Sequence, residues 1–250
     1  MLLHGSAGIT GANDLWARDF AEIGVSTLLI DSFTARGISN TLEDQSQLGV
    51  LNMALDAYRA LGMVRNHPRV DTSRIALIGF SRGGRTALYA SLDRFNTMWN
   101  ESGLEFAAYL PFYPDCTTTF IDDTKVRLAP VRIHHGDIDD YTSADRCIAY
   151  TEKLKAAGRD AQITIYKNAP HTFDSPLSPP KPMPLANATT VRKCVLTETT
   201  NGQIVSAPTG QPFTYADPCV ERGPHIGYNP EAAKAARANV RESLKAIFKL

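Results

Sequence analysis

The chain has 250 residues, and its 26 basic and 26 acidic side chains leave no formal net charge. No basic run marks a nucleic-acid partner and no long apolar run marks a membrane span, so a small molecule is the expected partner. The length suits one α/β domain spanning residues 1–250, and nothing in the composition fixes an oligomeric state.

Taken from the start, Met1-Leu2-Leu3-His4 reads as the end of a buried strand, without the basic segment and apolar core of a signal peptide. One or two leading strands are therefore expected to be missing from this chain. A glycine-bearing loop, His4-Gly5-Ser6-Ala7-Gly8, follows. Next come a predicted helix over 14–23, a strand over 25–30 and a long helix over 42–61, with Leu48, Leu51, Leu55 and Tyr58 close to one face. A strand over 75–80 runs into Gly79-Phe80-Ser81-Arg82-Gly83-Gly84, and a helical run over 86–93 follows. Strands over 107–112 and 131–135, a helix over 144–157, a strand over 162–166 and a last helix over 231–248 complete the series. Such alternation predicts a mainly parallel twisted sheet with helices on both faces. Residues 175–228 interrupt it: they are rich in Pro, Thr, Asn and Gly, and read as an irregular excursion with room for a small hairpin.

Gly79-x-Ser81-x-Gly83 between a strand and a helix has the form of a nucleophile elbow, a tight turn that lifts the serine oxygen towards the start of the helix. Serine is a poor nucleophile until a histidine takes its proton, and that histidine needs a carboxylate to fix its tautomer. Both partners should follow the serine in the chain, in loops past later strands. The strand over 131–135 ends in Gly136-Asp137-Ile138-Asp139-Asp140-Tyr141-Thr142, where Asp139 is the candidate acid. Asp137 reads as a turn residue and Asp140 as a cap for the next helix; all three could also be plain turn formers. His171, past the strand over 162–166, is the candidate base. His134 and His135 alternate across a strand and so cannot both serve one site or a shared metal. No metal or organic cofactor is expected. Backbone N–H groups of Arg82 and of Ser6 or Ala7 are placed to bind the oxyanion. Arg36, Tyr113 and Tyr141 are candidates for a substrate pocket. The Arg82 guanidinium could bind an acidic substrate or sit in a buried ion pair, and the ion pair is the favoured expectation, because a buried charge needs a partner.

Four cysteines, with no C-x-x-C pair, are unlike a zinc site. Local pairing of Cys116 with Cys147 and of Cys194 with Cys219 is the favoured connectivity, and it would mean a secreted or periplasmic protein; four unpaired thiols in a reducing compartment are the alternative.

In this order, His4-Gly5, Asp31 to Gly37, Gly79 to Gly84, Phe112-Tyr113-Pro114, Gly136 to Thr142 and Ala169-Pro170-His171-Thr172-Phe173-Asp174 resemble the dienelactone hydrolase family of the α/β-hydrolase superfamily, over nearly the whole chain. The resemblance implies a triad of Ser81, Asp139 and His171. Family members acting on dienelactone use a cysteine nucleophile, so Ser81 turns the expectation towards general carboxylic esters, and relatives with serine and extra cysteines resemble exported carboxylesterases. The competing expectations are a serine peptidase acting on short peptides and a non-catalytic binding protein on the same fold.

Overall fold

The computed structural model describes residues 1–250. Its core elements are β1 (Leu2–Leu3), α1 (Gly11–Ala21), β2 (Leu29–Ile30), α2 (Val50–Met63), β3 (Ala76–Phe80), α3 (Arg82–Ala90), α4 (Asp93–Trp99), β4 (Ala108–Phe112), β5 (Thr118–Thr119), β6 (Val131–Gly136), α5 (Ala144–Ala156) and β7 (Ala161–Tyr166). Six of the strands form one sheet in the order β2-β1-β3-β4-β6-β7, and every pairing in it is parallel. Parallel strands need crossovers, and the helices that supply them cover both faces.

Side-chain alternation sorts the strands between two cores. Ala76, Ile78 and Phe80 of β3 and Ala108, Leu110 and Phe112 of β4 pack with Trp16 and Phe20 of α1. Leu77 and Tyr109 face the other way, onto Ala57, Tyr58 and Leu61 of α2 and Ala87 and Leu88 of α3. The last helix, α6 (Pro230–Phe248), joins the α1 side through Ala236, Val240 and Leu244. Asn229 starts it, accepting hydrogen bonds from the N–H groups of Glu231 and Ala232, with Pro230 at the first turn where no N–H is needed.

The sheet has a switch point. From β1 the chain steps outward to β2, then crosses back to β3 on the opposite side of β1. In open α/β sheets the crevice beyond the carboxyl ends of such strands is where ligands bind. The loops after β1 and β3, carrying Ser6 and Ser81, open there.

The excursion at 175–228 is more regular than its composition suggests. It holds β8 (Met183–Pro184), β9 (Thr189–Thr190), β10 (Leu196–Glu198), β11 (Ile204–Ser206), β12 (Glu221–Arg222) and β13 (His225–Ile226). β8 pairs with β13 and β9 with β12, while β10 and β11 form a hairpin that adds to β5. Each ladder is two or three residues long, too short for any sequence period to show. Two disulfides, Cys116–Cys147 and Cys194–Cys219, have Cα–Cα separations of 5.2 and 4.9 Å. The first ties the loop after β4 to α5; the second closes the excursion on itself. No helix is long and apolar enough to cross a membrane.

Candidate active site

Ser81 sits between β3 and α3 with φ 54° and ψ −114°, a backbone conformation that side-chain-bearing residues rarely adopt. It is held there by its own N–H donating to Phe112 O at 3.0 Å and by Arg85 N–H donating to its carbonyl at 2.8 Å. The turn closes only because its flanks are glycine. A Cβ on Gly79 would lie 2.1 Å from Gly83 O, and one on Gly83 would lie 2.5 Å from Leu3 O.

The turn aims the Ser81 hydroxyl at His171. Ser81 Oγ is 2.8 Å from His171 Nε2, and His171 Nδ1 is 2.7 Å from Asp139 Oδ2. The two contacts define one proton arrangement: Nδ1–H donates to the carboxylate, which leaves Nε2 with the lone pair that accepts from the serine. Asp139 is fixed in turn. Its Oδ1 accepts from the N–H groups of Tyr141 and Thr142, each at 2.9 Å, and its Oδ2 accepts from Thr142 Oγ1 at 3.2 Å. Burial by itself would raise the Asp139 pKa, but the neighbouring His171 and these hydrogen bonds outweigh it and hold the carboxyl below its ordinary value. The imidazole packs against two aromatic rings, with Tyr113 and Tyr141 each 4.6 Å away between centroids.

The structure therefore brings Ser81, Asp139 and His171 together, although 58 and 32 residues separate them along the sequence (139 − 81 and 171 − 139). Ser6 lines the same cleft beside Ser81, Arg82 and Tyr141. No backbone acceptor inside the protein takes the Ser6 N–H. Arg82 is the first residue of α3, where an N–H has no intrahelical partner. Ala7 is exposed and outside the cleft.

Four of the other expectations need correction. Arg82 has no ion pair. Its buried guanidinium donates from Nη1 to Gln45 Oε1 at 2.5 Å, a neutral partner, and burial lowers its pKa to about 10, so it stays charged at neutral pH. Asp115, the carboxylate in the same cleft, is taken by Arg85 at 3.2 Å instead. Arg36 lies outside the cleft, bonded to Asp56 at 2.7 Å and to Ser32 O. Asp140 does not cap α5, whose N-cap is Ser143; it binds Arg192 Nη1 at 2.8 Å and the His225 N–H at 2.8 Å. Of the proposed pocket tyrosines, Tyr141 lines the cleft, whereas Tyr113 reaches away from it to donate to Asp174 Oδ1 at 2.7 Å. Asp137 lies in the turn after β6, but its carboxylate accepts from the distant Ala169 N–H at 3.3 Å and not from a neighbouring N–H of the turn.

Gln45 was not visible in the sequence. It accepts from Arg82 and donates to Ser6 Oγ at 3.0 Å, so it links both sides of the cleft mouth. One of two Gln in the run Thr41-Leu42-Glu43-Asp44-Gln45-Ser46-Gln47, it carries no motif that could have marked it. His134 is buried against Tyr166 OH at 2.8 Å, and His135 is buried below Asp139; neither reaches Ser81.

The sequence model of the dienelactone hydrolase family matches residues 12–248. The chain belongs to the dienelactone hydrolase family. Among curated relatives, a Yersinia pestis protein ascribed carboxymethylenebutenolidase activity is 32% identical over 114 residues, 44% of this chain and 40% of that one. A Bradyrhizobium protein ascribed 2-oxo-3-(5-oxofuran-2-ylidene)propanoate lactonase activity is 24% identical over 63% of this chain and 65% of its own length. The matches thus span less than two thirds of either relative. Among solved structures, a dienelactone hydrolase-like promiscuous phosphotriesterase from metagenomic libraries superposes with a TM-score of 0.58 at 16% identity, over 98% of this chain and 84% of that one. That likeness shows the α/β-hydrolase fold.

Proposed function

We propose that this member of the dienelactone hydrolase family hydrolyses carboxylic esters, with Ser81 as nucleophile, His171 as base and Asp139 as the group that orients and balances the imidazole. The observation that carries the proposal is the continuous Ser81–His171–Asp139 contact on a positive-φ strand-to-helix turn. Names of relatives in the family, which describe opening of ester bonds in lactones, agree with it.

In this reading His171 Nε2 takes the proton from Ser81 Oγ as that oxygen bonds to the ester carbonyl carbon. The carbonyl electron pair moves onto its oxygen, where the N–H groups of Arg82 and Ser6 receive it. Such donors each lower the barrier by about 3 kcal/mol, because they are already aimed and excluded from water. The imidazolium is balanced by Asp139, whose ionised form the site favours. Collapse expels the alcohol, which takes the proton from His171, and a water molecule repeats the sequence on the acyl-serine. The two cystines support an exported protein, since such bonds persist in oxidising compartments.

The test is hydrolysis of p-nitrophenyl acetate by Ser81→Ala, with fluorophosphonate labelling of both proteins. A loss on the order of 10³-fold or more, with labelling abolished, is expected. Near-normal turnover by Ser81→Ala would remove the proposal.

A further inference from the structure

The cleft at Ser81 is small, about 50 Å³, and holds little beyond the reacting carboxyl group. A groove of about 630 Å³ adjoins it, sharing Gln45, Val50, Arg85 and Tyr215 as common walls. One side of the groove is built by α4 and the loop after β5, through Trp99 and Phe120. The other side is built by the excursion, through Leu196, Ile204 and Phe213. Those residues are set in place by the β10–β11 hairpin, by the Phe213 N–H donating to Ile204 O at 3.0 Å, and by the Cys194–Cys219 bond around them.

Two features describe the occupant. Charged groups along the groove are already compensated: Arg85 pairs with Asp115 at 3.2 Å, and Arg94 with Glu198 at 2.8 Å. No free charge is left there to recognise an ionic group. Large apolar side chains on the same walls, meanwhile, face solvent, with Met98 58% and Ile121 39% exposed. A ligand volume in the usual range for small-molecule sites, walled by uncovered apolar and aromatic surface, suits a neutral apolar group.

We propose that this groove is the substrate subsite for a long alkyl or aryl group attached to the ester, and that the excursion is the element that gives the enzyme its preference for such esters. The proposal rests on the Ser81 reading for where the carbonyl sits. Tyr215, common to cleft and groove, marks the passage from the reacting group to its tail.

Two substrate series test it, p-nitrophenyl acetate to octanoate for a tail on the acyl side and ethyl to octyl acetate for one on the alcohol side. In at least one series kcat/KM is expected to rise about 10- to 100-fold with chain length, as each buried methylene adds to binding. Phe213→Ala and Trp99→Ala, on opposite walls, are each expected to lower the long-to-short ratio of kcat/KM about 10-fold. Because the two residues belong to different elements, a folding defect of the hairpin in one variant leaves the other decisive. A readout independent of turnover is Trp99 emission in Ser81→Ala titrated with octan-1-ol against ethanol: octan-1-ol is expected to shift it, and Trp99→Phe to remove the shift, since Trp16 is buried in the core. Flat rates in both series, an unchanged ratio in both variants, or no response to octan-1-ol would overturn the subsite. Octan-1-ol binding together with full activity of Ser81→Ala would instead overturn the role of Ser81 and leave the groove standing.

Discussion

Asp139→Asn offers a test in which the surrounding hydrogen bonds decide the outcome. Asp139 Oδ1 accepts the Tyr141 and Thr142 N–H groups at 2.9 Å each. Asparagine has one acceptor oxygen, and these two buried donors claim it, since leaving them unpaired would cost about 1–3 kcal/mol apiece. The amide NH₂ must then face His171 Nδ1, now 2.7 Å from Oδ2. Two N–H groups cannot share that contact, so His171 has to carry its proton on Nε2, where it meets Ser81 with no lone pair to accept the hydroxyl proton. The variant also removes the charge that balances the imidazolium, which at about 4 Å and an effective dielectric of 20 is about 4 kcal/mol. A barrier increase of about 4–5.5 kcal/mol, or 10³- to 10⁴-fold in kcat/KM for p-nitrophenyl acetate, is therefore expected. Thermal unfolding of the same protein should remain cooperative, because the size of the side chain and both backbone bonds are kept. A folded Asp139→Asn protein within 10-fold of wild type would refute the reasoning, for it would mean that His171 finds its working tautomer without the carboxylate.

Gly83→Ala should destabilise by about 3 kcal/mol or more, because its Cβ would lie 2.5 Å from Leu3 O and 2.6 Å from His4 O, backbone atoms that cannot swing aside; chemical denaturation reads this, and a wild-type midpoint would contradict it. Replacing Cys194 and Cys219 by serine opens a loop of separation 25 and should cost about 3.5 kcal/mol on the chain-entropy estimate, read as a lower urea midpoint or as protease cleavage within 175–228. In acid, burial, followed by the Arg132 charge, pushes the His134 pKa down to about 3 from an ordinary 6.5. The unfolded chain thus takes up a proton that the folded one refuses, so His134 leaves stability unchanged above pH 6.5 and removes up to about 1.4 kcal/mol per pH unit as pH falls towards 3. His4 and His135, also lowered by burial, act in the same sense, while Asp174, raised by burial, opposes them. His134→Gln should flatten the loss between pH 6 and 4, measured as denaturation midpoint against pH; an unchanged slope would count against it.

The strand over 75–80 was legible because a central parallel strand is apolar on both faces, and those over 131–135 and 162–166, the latter at the sheet edge, because Val131 and Ile133 and then Ile163 and Ile165 alternate with polar residues; Ser81, Asp139 and His171 were legible because each follows one of the three. Boundaries set by local hydrogen bonding were not. The helix predicted over 42–61 begins only at Val50, since Asp44 turns back to accept the Ser46 N–H and Gly49 supplies the extended residue before the first turn. The strand predicted over 25–30 keeps only Leu29–Ile30 in the sheet, and α4 went unseen behind a helix expected to end at 93. The fates of Arg82, Asp140 and Gln45 depend on partners 37 to 85 residues away, and no local pattern encodes those.

On the proposed reading, chemistry and substrate choice share a support in this fold. The loop carrying Asp139 is clamped from the excursion: Thr190 Oγ1 donates to Tyr141 O at 2.6 Å, Arg192 donates to Asp140 O at 2.6 Å, and the His225 N–H donates to Asp140 Oδ1 at 2.8 Å. Thr142, the next residue, holds its hydroxyl 3.2 Å from both Asp139 Oδ2 and Tyr113 O, the two acceptors open to its single proton. The segment that walls the apolar groove thus also steadies the residues that hold the acid beside His171. Side chains on the groove face, such as Phe213, can change without touching those bonds, so substrate preference can vary there while the proton path stays fixed. Changes at Thr190 or Arg192 cannot be so confined, because any slack in the clamp passes within two residues to the carboxylate that sets the tautomer of His171.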